Sequence, residues 1–128
     1  MKRPIRAGFL GISFALSCCG LANAQSAGEM LHACEILQRG VRVEGETVYL
    51  PPGGDVHQCW GFMSAVQEYA TLADQDGQTL LDACPSADTT TVQVIRVFIR
   101  YANVHPEELS SKAAAVAYNA MAQAFPCK

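Results

Sequence analysis

The sequence predicts an all-α fold: a small four-helix domain, or four helices plus a short fifth, stapled by two disulfides. Two observations carry this. Four segments repeat apolar residues at the i, i+3, i+4, i+7 spacing of one helix face. Four cysteines, Cys34, Cys59, Cys84 and Cys127, remain once an export signal is set aside, an even number suited to an oxidising compartment.

The export signal is read from the first residues. Lys2, Arg3 and Arg6 precede an apolar run from Ala7 to Leu21, and Ala22-Asn23-Ala24 puts small residues where a signal peptidase inspects the chain. Residues 1–24 are therefore expected to be a secretory signal cleaved before Gln25, leaving 25–128 as a single periplasmic domain. The apolar run falls short of the about 20 residues that span a bilayer, and no later segment is long and apolar enough to anchor the chain. A lipoprotein alternative, with Cys18 or Cys19 acylated, lacks the expected lead-in residues.

The first helix is predicted over residues 27–39, with Met30, Ala33, Cys34 and Leu37 on one face and Gly40 ending it. Val41–Gln58 follows as a long connection. Gly45, Pro51, Pro52, Gly53 and Gly54 argue against a helix there, while Thr47–Leu50 can run extended. A second helix is predicted from Cys59 to about Asp74, striped by Phe62, Met63, Val66, Tyr69 and Ala73. A short helical turn is expected through Leu80, Leu81 and Ala83 before Cys84-Pro85 redirects the chain.

Thr90–Asn103 is rich in Val, Ile and Thr, yet its periodicity is helical. Val92, Ile95, Phe98 or Ile99, and Ala102 share a face, and Gln93, Arg96, Arg100 and Asn103 share another. Thr89 or Thr90 is the expected N-cap. The last helix is predicted to begin at His105-Pro106-Glu107-Glu108, where proline is tolerated and acids complement the helix dipole. Its stripe is Leu109, Ala113, Val116, Ala117, Ala120, Met121 and Ala124, and Pro126 stops it.

Two disulfides from four cysteines allow three connectivities. Pairing sequence neighbours favours Cys34–Cys59 and Cys84–Cys127, each contributing about 3–4 kcal/mol through loop closure.

Charge and motifs restrict function. Without Lys2, Arg3 and Arg6, six Lys and Arg face twelve Asp and Glu, a net charge near −6. Such a balance argues against nucleic acid or anionic lipid and suits a cationic protein partner. His32, His57 and His105 show no i, i+4 pairing and no His-Glu-x-x-His pattern, and a capping or turn role suits His105. Asp74-x-Asp76-Gly77 fails as a calcium loop, because Leu72 and Ala83 would occupy its first and twelfth positions. There is no Cys-x-x-Cys metal or haem spacing, and no catalytic constellation is legible. The expectation is a non-enzyme with no cofactor and no metal.

Beside this reading stands a resemblance. Cys59-Trp60-Gly61-Phe62-Met63, Cys84-Pro85, the Thr89–Val94 helix entry, Tyr101 through His105-Pro106-Glu107, and Ala124-Phe125-Pro126-Cys127 together resemble the Rap/Tai family. Its members are immunity proteins against type VI secretion amidase effectors. The resemblance covers about two-thirds of the mature chain, with Cys34 as the fourth framework cysteine. One departure is Ser64-Ala65, where a glycine is expected. The resemblance implies an inhibitor of a toxin that cuts peptidoglycan cross-links, often dimeric, with a loop projecting into the enzyme's cleft. Val41–Gln58 is the candidate loop, and Glu44, Glu46, Tyr49, Asp55 and His57 are its candidate partner-binding residues. The rival expectations are an interaction module on the same scaffold without a toxin, and an acid-stress chaperone.

Overall fold

A computed structural model of the protein describes residues 24–128. The expected export signal, save its last residue Ala24, lies outside them, as do Cys18 and Cys19. Four helices and one hairpin follow in order: α1 (Ala27–Gly40), β1 (Arg42–Glu44), β2 (Thr47–Tyr49), α2 (Gly54–Thr71), α3 (Thr91–Val104) and α4 (Ala113–Ala124), with a 3-10 turn at Pro106–Glu108 between the last two. The all-α assignment holds, with the two-stranded hairpin as its one small sheet.

Local signals explain where α1 and α3 begin. The Ser26 hydroxyl accepts from the Glu29 amide at 3.3 Å, and the Glu29 carboxylate accepts from the Ser26 amide at 2.9 Å. Thr90 and Gln93 repeat this reciprocal capping box at α3. Thr90, not Thr89, is thus the cap, while Thr89 is buried. Helical periodicity prevails over β-propensity in α3: Val94, Ile95, Phe98 and Ala102 are all buried on one side.

The core lies where the four helices meet. Met30 and Leu37 of α1, Met63 of α2, Ile95 and Phe98 of α3, and Val116 and Met121 of α4 are all fully buried within it. Alanines at 113, 117 and 120 are buried on α4 and let α3 approach closely. The favoured disulfides are the ones formed. Cys34 and Cys59 join α1 to α2 with Cα atoms 5.1 Å apart, and both residues are fully buried. Cys84–Cys127, with Cα atoms 5.0 Å apart, fastens the α2–α3 connection to the C-terminus.

Three sequence expectations need correction. The stretch 41–58 is not a helix-free loop, because it contains the hairpin and α2 already starts at Gly54. The breakers Pro51 to Gly53 end the hairpin. Gly53, at φ 139°, then turns the chain into a helix whose first turns bury Val56 and Cys59. No helical turn forms at 80–83. There the chain makes turns and isolated bridges, Ala73 with Thr79 and Ala83 with Pro126, and α2 ends at Thr71 rather than Asp74.

The third correction concerns α4, which does not run from His105. The carbonyls of Leu109 and Ser111 accept the free amides of Gly28 and Ala27 at 2.9 and 2.8 Å. The Ala113 amide donates to the Gln25 carbonyl at 2.9 Å. The start of α1 thus takes up groups that a continuous helix would bond internally, satisfying orphan donors that every helix leaves at its N-terminus. Glu107 and Glu108 sit in the 3-10 turn instead of α4's first turn.

Replacing both Cys34 and Cys59 by alanine removes the bridge between α1 and α2. The expected loss is about 3–4 kcal/mol in urea unfolding, including faster amide exchange in residues 42–49 at equal temperature.

Candidate protein-binding surface

Among the described residues the hairpin is the most exposed regular element. Arg42 pairs with Tyr49, Val43 with Val48 and Glu44 with Thr47. Gly45 and Glu46 form the two-residue turn. Gly45 takes φ 62° while Glu46 keeps a negative φ, the pattern of a type II′ turn with glycine at its first position. Because cross-strand partners share a side, Arg42, Glu44, Thr47 and Tyr49 occupy one face, and Val43 and Val48 the other. The Arg42 guanidinium lies 5.7 Å from the centroid of the Tyr49 ring, within cation–π range, and the tyrosine is 45% exposed.

The base of the hairpin is tightly closed. At Gly40 an added Cβ would sit 2.8 Å from both Cβ and Cγ of Pro51, so the end of α1 and the entry to α2 touch only because residue 40 has no side chain. Behind the hairpin, a cleft of about 510 Å³ opens against the start of α3, lined by Val43, Glu46, Val92, Gln93 and Arg96. Sequence reasoning did not find Arg96 and Gln93 for this surface. They lie some fifty residues away, and no local pattern links them to the hairpin.

The five residues singled out from sequence divide into two groups. Glu44, Glu46 and Tyr49 are together on the hairpin. Asp55 and His57 stand exposed on the first turns of α2. Asp55 lines a separate shallow cleft with Glu29, His32 and Gln58, where the Gln58 amide donates to the Gln25 side-chain oxygen at 2.8 Å.

The residues of the His-Pro-Glu motif serve the frame. The His105 amide closes α3 by donating to the Tyr101 carbonyl at 3.0 Å, and its ring stacks on Tyr101 with centroids 4.2 Å apart. Glu108 accepts from the Tyr101 hydroxyl at 2.9 Å and from the Asn119 amide at 3.2 Å, tying α3 to α4. Burial first, and then Glu108, push the Tyr101 phenol above its ordinary range. Bonding to its own backbone, and then to the His105 ring, holds Glu107 below the usual carboxylate range. His105, Glu107 and Glu108 are the only three potential metal ligands that cluster among the described residues. Each is already engaged in these structural bonds.

Comparison with known families decides the assignment. The sequence profile described as Rap1a immunity proteins matches residues 26–127. The chain belongs to the Rap1a immunity protein family. The match runs from the cap of α1 to the last cysteine, so it takes in the hairpin and both disulfides as well as the motifs of the C-terminal half. No curated protein and no solved structure matches the chain.

Gly40→Ala should improve helix propensity locally but force Pro51 and the hairpin base apart. The expected net outcome is a loss of about 1–3 kcal/mol in denaturant unfolding, with NMR shift changes concentrated at residues 41–52. A neutral or stabilised variant would contradict the close contact.

Proposed function

We propose that the mature chain is a periplasmic immunity protein that binds a peptidoglycan amidase toxin and blocks it sterically, with the hairpin seated in the enzyme's cleft. Membership in the Rap1a immunity protein family carries the reading. The paired disulfides suit an oxidising compartment, and the expected signal cleaved before Gln25 would deliver the chain there.

The hairpin has the properties that such a plug needs. It is narrow, and its register is pinned at the base by Gly40 and Pro51 and at the tip by Gly45. Little conformational entropy is therefore left to lose on binding. Its tip offers two carboxylates, Glu44 and Glu46, to a partner's cleft. Tyr49 supplies a large, rigid anchor of the kind that dominates protein interfaces. The Arg42 guanidinium lies within cation–π range of its ring. Inhibition by this route requires no catalysis and no cofactor. Two copies acting as a pair, as the family resemblance implies, would present two such hairpins.

The test uses oxidised 25–128 and an amidase effector encoded by the same organism. Release of peptides from purified peptidoglycan should stop at one inhibitor per enzyme. Tyr49→Ala should weaken inhibition by about 2 kcal/mol, and Glu44→Lys with Glu46→Lys should weaken it further, with unfolding midpoints unchanged. Full inhibition by the triple hairpin variant would remove the hairpin from the mechanism. No binding to any amidase of the organism would remove the amidase.

A further inference from the structure

A second surface lies away from the hairpin, between α2 and α4. Phe62, Val66 and Tyr69 of α2, Leu81 of the α2–α3 connection, and Tyr118 of α4 line a groove of about 240 Å³ whose walls are almost wholly apolar. It continues onto exposed hydrophobic side chains. Tyr69, Leu72 and Leu80 are 56%, 47% and 52% exposed, half of the large exposed hydrophobics among the described residues. The Leu80 amide donates to the Leu72 carbonyl at 3.1 Å, so these two leucines are held side by side. Contiguous exposed apolar surface of this kind marks an interaction site more often than scattered single residues do.

The groove is pre-formed. The Tyr118 hydroxyl donates to an Asp82 carboxylate oxygen at 2.6 Å, fixing one wall. Asp82 makes this bond from a left-handed backbone conformation, φ 46°, the one non-glycine residue with positive φ among those described. Strain of this sort is kept where the surrounding structure enforces it.

Charge identifies the occupant. From residue 43 to residue 95 the chain has no Lys or Arg, but it carries Glu68, Asp74, Asp76 and Asp82 on the elements that border the groove. The body of α4 has no cation either. Two cations flank the border: Lys112, the N-cap of α4, and Lys128, which follows Cys127, whose sulfur lies 3.7 Å from the Thr79 hydroxyl. An apolar floor inside a border with four acids against two lysines fits a basic surface with a protruding apolar side chain. A second copy of this chain would bring the same acids face to face.

We propose that the α2–α4 groove is a second docking site, for a basic protein segment that inserts a leucine or aromatic anchor between Phe62, Tyr69 and Tyr118. This proposal stands on residues separate from the hairpin, so the two readings can fail independently.

The probes are three 15-residue peptides: Leu and Phe anchors flanked by lysines, the same anchors flanked by glutamates, and lysines without anchors. They are titrated into oxidised 25–128 and followed by NMR shifts and calorimetry. The lysine-flanked anchor peptide should bind at least about tenfold more tightly than either control, shift Phe62, Leu81 and Tyr118, and weaken with salt. Ala65→Arg, an exposed position on the groove wall, should reduce that binding about tenfold or more while Tyr49→Ala leaves it unchanged. Equal binding of all three peptides, shifts elsewhere, or indifference to Ala65→Arg would overturn the proposal. So would a dimer seen by sedimentation without peptide that Ala65→Arg dissociates, because the groove would then belong to a second copy.

Discussion

The buried bridge between Cys34 and Cys59 is the constraint on which the rest of this small domain depends. It ties the middle of α1 to the early part of α2, with both residues fully buried and 25 positions apart in sequence. The hairpin, together with Asp55 and His57, lies inside that closed loop. A two-stranded hairpin of three-residue strands has little stability alone in water. Here its two ends emerge from helices that cannot separate, and Gly40 against Pro51 closes the gap between them.

The second half is organised by exchange of backbone groups between distant segments. The first turn of α1 gives its free amides to the carbonyls of Leu109 and Ser111, and Gln25 receives the amide that opens α4. At the other end, the Cys84 amide donates to the Phe125 carbonyl at 2.8 Å beside the Cys84–Cys127 bridge. The segment entering α1 and the segment leaving α4 are thereby fastened to the body. A domain of this length has a limited core, and such staples supply what burial alone does not.

How legible this was in the sequence varied with the range of the interaction. The faces of α1 and α3 follow from Met30, Leu37, Ile95 and Phe98, because a helix stripe is a local pattern. The cysteine pairing followed from neighbouring elements. The break before α4 was not legible, because it depends on α1 amides some eighty residues away. The early start of α2 was obscured because Gly53 and Gly54 read as breakers, whereas Gly53 serves as the turn that opens the helix. Glu44, Glu46 and Tyr49 were found as a group within one short segment. Their separation from Asp55 and His57, and the approach of Arg96 behind the hairpin, arise only from packing. The groove between α2 and α4 joins three segments and left no local signal, although the long run without Lys or Arg is visible in the sequence.

The family fixes the kind of protein, and the structure gives it an acid-tipped hairpin held out by a disulfide-locked helix pair. The most direct measurement is hydrogen–deuterium exchange of oxidised 25–128, free and saturated with the proposed amidase partner. The account expects new protection across residues 42–49, with the toxin's catalytic cleft protected in return. Unchanged exchange in the hairpin alongside protection elsewhere would contradict it.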